Sequence, residues 1–185
     1  MTPITTLSSL KTLLDNIPIR WVLIGALAAN RYRGTPRMTG DVDLLLANTG
    51  GGLKPLEAKL IDAGWDVRRA DANGELIRIN HEQFGAADLL LSGTAYQQLA
   101  IERSIPEKID NQEIYVLAPE DIILHKLIAG RFQDLADIEA ILATSIVLDE
   151  DYLRQWVKFW EVEDVWKKFS DVGPKNAKPI TNGIQ

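Results

Sequence analysis

The spacing of apolar residues predicts short strands in the first two thirds of the chain and helices in the last third. Apolar positions three or four residues apart indicate an amphipathic helix over residues 6–16, whereas short apolar runs bounded by glycine or polar residues indicate strands. The predicted strands are 21–24, 41–46, 65–69, 76–80, 86–91 and 113–117. Further helices are predicted at 26–30, 56–63 and 94–103, with loops at 33–36 and at the glycine-rich stretch 49–53.

The order of these elements predicts an α/β or α+β fold, in which a small mixed sheet is flanked by helices and followed by a helical segment. Pro119 marks the boundary, because the chain from there to about residue 169 has a helical pattern throughout. We therefore assign residues 1–118 to the sheet domain and residues 119–170 to a helical segment packed on it. Residues 171–185, rich in glycine and proline, are predicted to be a disordered tail.

Composition narrows the class of protein. The chain has 185 residues, of which 46% are apolar and 25% charged, as is usual for a globular protein. No apolar run reaches the roughly 18 residues needed to span a bilayer, and the N-terminus lacks the pattern of a secretory signal. The absence of cysteine excludes disulfides, thiolate metal sites and a cysteine nucleophile. We therefore expect a cytoplasmic protein with no membrane partner.

The charge balance argues against a broad nucleic-acid surface. There are 26 acidic and 20 basic residues, giving a net charge of −6, whereas proteins that wrap nucleic acid are usually basic. A local basic groove is still compatible with this balance. Four arginines are close together in the sequence, and they fit either such a groove or a solvated loop: Arg20, Arg31, Arg33 and Arg37.

The strongest chemical signal is the pair Asp41 and Asp43 in a predicted strand. Side chains two residues apart on a strand point to the same face, with Cα atoms roughly 6.5–7 Å apart. Two carboxylates on one face are unfavourable without a cation, and ligands that are all oxygen favour Mg²⁺ or Mn²⁺. The alternative is that Asp41 is a loop residue and Asp43 a capping residue.

Two other features support a site at this place. Asp88 is a lone carboxylate in the apolar strand 86–91, and it completes a three-carboxylate metal cluster if that strand neighbours the first. The alternative is an edge-strand aspartate that faces water. Gly25 ends a strand and precedes a helix, so the backbone there can approach an anionic ligand closely.

The stretch from Gly25-Ala26 to Arg37-x-Thr39-x-Asp41-Val42-Asp43 resembles the first motif of the polymerase-β-like nucleotidyltransferase superfamily, and most closely the AbiEii-type toxins. Downstream, Ala118–Leu127 and the pattern Arg131-x-x-Asp134-x-x-Asp137 are similar to later motifs of that family. The resemblance covers residues 20–142. It implies a site with the following roles. Asp41, Asp43 and Asp88 bind metal, Lys126 joins them in catalysis, and Gly25, Ala26, Arg37, Thr39, Lys126 and Arg131 bind the nucleotide.

One position departs from the family pattern. Ala26 stands where the superfamily usually has serine, and loss of that hydroxyl removes a phosphate donor worth about 0.5–1.5 kcal/mol if neutral. We also expect a partly solvated Lys126, with its stem among apolar helix residues and its ammonium over the carboxylates. Asp137 is expected to pair with Arg131 or Lys126, whereas His81 and His125 are expected to have core or surface roles.

These features favour a Mg²⁺- or Mn²⁺-dependent enzyme that transfers a nucleotide from an NTP to a hydroxyl or phosphate acceptor. The acceptor classes that the resemblance allows are tRNA, a protein hydroxyl and a small molecule, and the toxin family implies a cognate antitoxin or another protein partner. The main alternative is a non-catalytic nucleotide-binding or protein-interaction protein, which the missing serine supports. A metal-dependent phosphohydrolase is disfavoured because no histidine accompanies the carboxylates.

Overall fold

The strands form one mixed sheet in the computed structural model, which describes residues 2–48, 50, 53–144 and 146–170. In chain order they are β1 Trp21–Ile24, β2 Val42–Leu46, β3 Asp66–Arg69, β4 Leu76–His81, β5 Gly85–Leu91, β6 Ile105–Ile109 and β7 Gln112–Val116. Within these residues the strand order is β3-β4-β5-β2-β1-β7-β6. The pairs β1–β7 and β2–β5 are parallel and the others are antiparallel, so the predicted mixed α/β fold is confirmed.

The helices follow the predicted order. They are α1 Pro3–Leu14, α2 Gly25–Ala29, α3 Lys54–Asp62, α4 Ala95–Glu102, α5 Pro119–Ala129, α6 Phe132–Leu142, α7 Glu150–Phe159 and α8 Glu163–Ser170. The first of these begins earlier than predicted, because Thr2 caps it by accepting a hydrogen bond from the Thr5 N–H and Pro3 occupies its first turn. No helix in the described part of the chain is long and apolar enough to cross a bilayer.

Apolar side chains from helices and sheet form one core. Leu7, Leu10 and Leu14 of α1 are buried, and α1 contacts β2 and β5. The leucines of β2 and β5 are largely buried too, because these strands lie in the middle of the sheet. Because these strands are buried, their register is strongly specified, and so is the position of each polar side chain on them.

Strand β6 was not predicted from the sequence. Its residues Ile105-Pro106-Glu107-Lys108-Ile109 do not alternate in polarity, and proline inside a run argues against a central strand. The strand lies at the edge of the sheet, where a proline is tolerated. Asp110 and Asn111 both have positive φ, of 47° and 62°, as in the tight turn that joins two antiparallel strands.

Other parts of the prediction differ from the structure or lie outside the described residues. Strand β2 begins at Val42, so Asp41 is the residue before the strand instead of its first residue. The predicted continuous helical stretch after Pro119 is divided into α5, α6, α7 and α8 by short connections. Thr49, Gly51 and Gly52 of the predicted glycine-rich loop, and the predicted disordered tail 171–185, lie outside the described residues.

A buried polar cluster joins α4, α5 and α7. The Asp121 carboxylate is fully buried and accepts hydrogen bonds from the Tyr96 hydroxyl at 3.1 Å and the Tyr152 hydroxyl at 2.6 Å. Arg103 donates to the same carboxylate at 3.2 Å and stacks over the Tyr152 ring. Burial raises the pKa of Asp121, and the tyrosine and arginine contacts oppose that rise. The cluster therefore ties α7 to the N-terminal end of α5.

We predict that Tyr152→Phe destabilises the protein by about 1.5–3 kcal/mol, the range for a hydrogen bond to a charged group. The variant keeps the aromatic ring and removes only the donor to the buried Asp121 carboxylate. Urea unfolding of the two proteins measures the difference. Tyr115→Phe is the matched control, because Tyr115 is 43% exposed and its unfolding free energy should stay within about 0.5 kcal/mol. Equal effects of the two substitutions would contradict the structural role of the Asp121 cluster.

Candidate active site

A glycine turn and an aspartate are in direct contact at the start of α2. Gly25 follows β1 with φ of +67°, a left-handed conformation that favours glycine. A Cβ atom at this position would lie 1.9 Å from Oδ2 of Asp43. The turn and the carboxylate are brought together because Ile24 and Asp43 are in register on the antiparallel strands β1 and β2. No residue with a side chain fits at position 25 unless Asp43 moves.

Asp41 and Asp43 line the same cleft, which has a volume of about 490 Å³. Asp43 is in strand β2, and Asp41 lies immediately before it. Burial raises the pKa of Asp43 to about 6, and the carboxylates of Asp41 and Asp88 contribute to the rise, against lowering effects of Lys126 and the Ala26 backbone N–H. The ionised form of Asp43 is therefore held in an environment that disfavours it.

The cleft contains almost all of the residues singled out from the sequence. Gly25, Ala26, Arg37, Thr39, Asp41, Asp43, Lys126 and Arg131 line it. It is built from the turn after β1, the segment that leads into β2, and the helices α5 and α6. Proximity alone does not assign the metal, catalytic or nucleotide roles, which stay predictions.

Asp88 is positioned differently from the other two carboxylates. It is in register with Asp43 on the parallel pair β2–β5, so the two strands are neighbours, as a shared metal site requires. Its carboxylate, however, accepts a hydrogen bond from Arg78 at 3.3 Å and lines a second cavity instead of the first cleft. Within the described ranges, no three histidine or acidic side chains are close enough to hold one ion. The role of Asp88 as a third ligand stays a prediction.

Lys126 is buried and paired, which corrects the expectation that it is partly solvated. The residue is 5% exposed, and its ammonium donates hydrogen bonds to Asp134 at 3.1 Å and Asp137 at 2.6 Å. The helix α6 brings these two carboxylates under the amine, so the ammonium is held by α6 instead of lying free over Asp41 and Asp43. It still lines the cleft and lowers the pKa of Asp43 through its charge.

Asp137 joins the loop before β2 to the helical segment. It is fully buried and accepts hydrogen bonds from Nε and Nη2 of Arg37, at 2.8 and 2.9 Å, as well as from Arg33. Burial raises the pKa of Asp137, but the hydrogen bonds from Arg37 and Lys126 outweigh it and hold the pKa at about 2. Arg37 therefore directs its guanidinium to a carboxylate, and it shapes the cleft by fixing the segment that leads to Asp41.

Comparison with known families decides which class of protein this is. The profile of the family described as "Nucleotidyl transferase AbiEii toxin, Type IV TA system" matches residues 12–163. The chain belongs to the AbiEii nucleotidyltransferase toxin family. A search of curated protein sequences found no match.

Solved structures with similar folds are also nucleotidyltransferases or resemble them. A nucleotidyltransferase-like protein from Paracoccidioides brasiliensis has a TM-score of 0.62 at 16% identity, over 92% of this chain and 91% of its own. The antibiotic-resistance factor ANT(2'')-Ia has a TM-score of 0.61 at 14% identity, over 91% and 96%. The nucleotidyltransferase toxin MenT4 from Mycobacterium tuberculosis has a TM-score of 0.50 at 17% identity, over 95% and 69%. At these identities the likeness establishes the fold.

The helix α5 presents one face to the cleft of this AbiEii-family chain. Ile122, His125, Lys126 and Ala129 all line the cleft, at the spacing of one helical face. His125 was assigned a core or surface role from the sequence. Its spacing of three residues from Ile122 and four from Ala129 is the signal that could have placed it on this face. Burial lowers the pKa of His125 to about 4, and Lys126 contributes to the decrease, so the imidazole is neutral at pH 7.

Arg131 is an exposed cation of this site. Its side chain is 77% exposed, and its Nε donates to Asp134 at 2.6 Å. Gln133 and Asp134, which the sequence reasoning did not assign to the site, line the same part of the cleft. The guanidinium has five N–H donors, so one carboxylate leaves it capacity for a ligand. Arg131 is therefore more accessible to a ligand in the cleft than Arg37, whose guanidinium is held by Asp137.

We predict that Asp137→Asn destabilises the protein by about 3–5 kcal/mol at pH 7, because it leaves the largely buried cations Arg33, Arg37 and Lys126 without their shared charge. The folded pKa of about 2 lies below the unfolded value, so the stabilisation is complete above the unfolded pKa. It is lost as pH falls from about 4 through 2. Urea unfolding at pH 7, 5 and 3 measures the difference between the two proteins.

The control for this experiment is Asp151→Asn, which removes an exposed carboxylate that pairs with Arg154 on α7. Its unfolding free energy should match that of the native protein at every pH to within about 0.5 kcal/mol. A difference between native protein and Asp137→Asn that stays constant from pH 7 to 3 would contradict the assignment of a low pKa to Asp137.

Proposed function

We propose that this chain is a metal-dependent nucleotidyltransferase that moves a nucleoside monophosphate from an NTP to a hydroxyl or phosphate acceptor, as the toxin of a toxin–antitoxin pair. Membership of the AbiEii family supports the enzyme class and the toxin role. The observation that supports activity most directly is the pair Asp41 and Asp43, which faces one cleft against the Gly25 turn. Two carboxylates so close together destabilise the folded protein unless a cation compensates their charge.

The donor set fits Mg²⁺ or Mn²⁺. Asp41 and Asp43 offer carboxylate oxygens only, and Mg²⁺ sites commonly use one or two carboxylates together with substrate phosphates. These two residues would hold the ion, with Asp88 as the third candidate because it is in register with Asp43. When bound, the ion supplies positive charge at the transferring phosphoryl group and lowers the pKa of the acceptor hydroxyl.

The remaining residues of the cleft suit the binding of a triphosphate. The Gly25 turn lets the backbone approach a phosphate closely, and the exposed guanidinium of Arg131 adds a charge-assisted donor at the other wall. Lys126 contributes its charge from a fixed position, because Asp134 and Asp137 hold its ammonium. The Ala26 backbone N–H donates to Asp43 and Ala26 has no hydroxyl, so this wall has one phosphate donor fewer than a serine would give.

The non-catalytic alternative rests on two specific observations. Ala26 replaces the serine that is usual in the superfamily, and Asp88 is bound to Arg78 instead of facing Asp41 and Asp43 in the first cleft. A protein that kept only nucleotide binding would retain the Gly25 turn and Arg131. Such a protein would bind an NTP yet transfer nothing, so binding and transfer have to be measured separately.

The acceptor of this chain is open to several classes of molecule. MenT4 is a nucleotidyltransferase toxin, whereas another structure of similar fold is a lincosamide antibiotic adenylyltransferase with lincomycin bound. The acceptor proposed here is tRNA, a protein hydroxyl or a small molecule, and the lincosamide enzyme is a precedent for the last of these. The toxin family also supports a cognate antitoxin as protein partner, with the NTP as first substrate.

We predict that an NTP with Mg²⁺ or Mn²⁺ raises the melting temperature, and that Asp43→Asn abolishes the increase. Ligand at about 100 times its dissociation constant stabilises the folded state by roughly 2.7 kcal/mol. Differential scanning fluorimetry with each of the four NTPs, with and without the metal, measures the shift. The control Asp151→Asn removes a charge outside the cleft and should keep the full shift. An unchanged melting curve in the native protein would contradict nucleotide binding.

Transfer is tested by incubating the native protein with α-labelled NTPs, Mg²⁺ and total RNA, protein or small-molecule fractions. Label in one fraction that is lost with Asp43→Asn is the expected result. A melting shift without label transfer to any fraction would favour the non-catalytic alternative.

A further inference from the structure

A row of charged residues crosses the sheet beside the cleft. Arg68 of β3 is in register with Arg78 of β4. Arg78 is in register with Asp88 of β5, which is in turn in register with Asp43 of β2. Residues that pair in register on neighbouring strands point to the same face of a sheet. The four side chains therefore form one line from the edge strand to the proposed metal site.

The two arginines of this row have capacity to bind a ligand. Arg68 is 79% exposed and pairs with Asp66, while Arg78 is 66% exposed and pairs with Asp88. Like charges directly opposite each other on paired strands are unfavourable. Each guanidinium has five N–H donors, and each makes side-chain bonds to a single carboxylate among the described residues. An anion bound between them would relieve the repulsion and use the remaining donors.

These arginines line a cavity of their own that meets the first cleft. The second cavity has a volume of about 600 Å³ and contains Arg68, Arg78, Asn80 and Asp88. Asp41 lines both cavities, so the two adjoin at that residue. Two strand spacings, roughly 10 Å, separate the backbone of Arg78 from that of Asp43. A substrate held by the arginines can therefore reach the cleft.

We propose that the second cavity is the acceptor site and that Arg68 and Arg78 bind a phosphate group of the acceptor. This inference rests on the proposed function, whose first cleft holds the NTP. In the transfer, the acceptor hydroxyl oxygen forms a bond to the α-phosphorus, and the bond from that phosphorus to the bridging oxygen breaks. Pyrophosphate leaves with the electron pair, and the hydroxyl proton passes to water.

The carboxylates of the second cavity do not oppose this assignment. Asp66 and Asp88 each pair with one arginine of the row, and each guanidinium keeps further N–H donors for a ligand. Asp41 lies at the end of the cavity where the proposed metal ion provides positive charge. Arginine binds phosphate through two parallel hydrogen bonds, so the pair selects an acceptor with a phosphate over an uncharged one. The chain's net charge of −6 argues against a broad basic surface but is compatible with this local pair.

The test measures acceptor binding apart from nucleotide transfer. The probes are a fluorescent single-stranded oligoribonucleotide, cytidine 5'-monophosphate and cytidine, of which the last two differ only by the phosphate. Each is titrated into the full chain by anisotropy or calorimetry, in the native protein and in Arg68→Gln/Arg78→Gln. We expect the double variant to lose oligonucleotide affinity by about tenfold or more, the effect of a single charge-assisted hydrogen bond. The slope of log affinity against log salt concentration should also become shallower in the double variant, by about one for each phosphate that is no longer bound.

Two controls complete the design. Arg154→Gln removes an exposed arginine paired with Asp151 on α7 and should leave all affinities unchanged. Arg78→Lys keeps the charge and removes the two parallel hydrogen bonds, so its affinity should lie between those of the native protein and the double variant. All variants should keep the native melting temperature, because the substituted arginines are exposed.

The outcomes separate the possible sources of the phosphate. Binding of the oligonucleotide alone assigns the site to nucleic acid, whereas binding of cytidine 5'-monophosphate as well extends it to free phosphate esters. Measurable binding of cytidine with the same affinity as its monophosphate, no binding of either phosphate-bearing probe, or full oligonucleotide affinity in the double variant would overturn the proposal. The melting shift with NTP and metal tests the proposed function separately. Its absence in the native protein would refute the proposed function, whereas the arginine variants should show the same shift as the native protein.

Discussion

The contact between the Asp43 carboxylate and the Gly25 backbone is the constraint on which the rest of the site depends. It requires glycine in a left-handed turn, and it requires β1 and β2 to pair so that Ile24 lies opposite Asp43. With the carboxylate fixed there, Asp41 can only lie beside it at the mouth of the same cleft. Burial, with the charge of Asp41 beside it, raises the pKa of Asp43, so folding alone disfavours an arrangement that a bound cation would favour.

The basic side chains around the cleft fall into two groups, those held in buried ion pairs and those exposed to solvent. Lys126, Arg33 and Arg37 are held by the buried Asp137, which fastens the segment before β2 to the helical segment. Their charges act from fixed positions and leave few donors for a ligand. Arg131 in the first cleft and the Arg68–Arg78 pair in the second are exposed. On this division, the proposed site would bind anionic substrates through arginines at its periphery, while its central charges are held in ion pairs.

Local periodicity was enough to predict much of this from the sequence. The spacing of Asp41 and Asp43 indicated the shared cleft, and the apolar run around Asp88 indicated a strand that does neighbour β2. What could not be predicted depends on side-chain partners distant in sequence. Lys126 was expected to point to the aspartates, yet Asp134 and Asp137 are placed under it by the packing of α6. Strand β6 was missed because its pairing comes from the turn at Asp110–Asn111 and not from alternation.

The central claim is that the ionised Asp43 carboxylate lowers the unfolding free energy of the metal-free protein. The unfolding free energy of Asp43→Asn tests this claim most directly. The folded pKa of about 6 lies above the unfolded value, so the carboxyl stabilises the fold only at low pH and loses that contribution as pH rises through 6. Asparagine is neutral throughout and can still accept a hydrogen bond from Ala26. In metal-free buffer with chelator at pH 7.5, we expect a variant more stable than the native protein by about 1–3 kcal/mol, with the advantage gone near pH 4. A variant that is equally or less stable at pH 7.5 would contradict the claim.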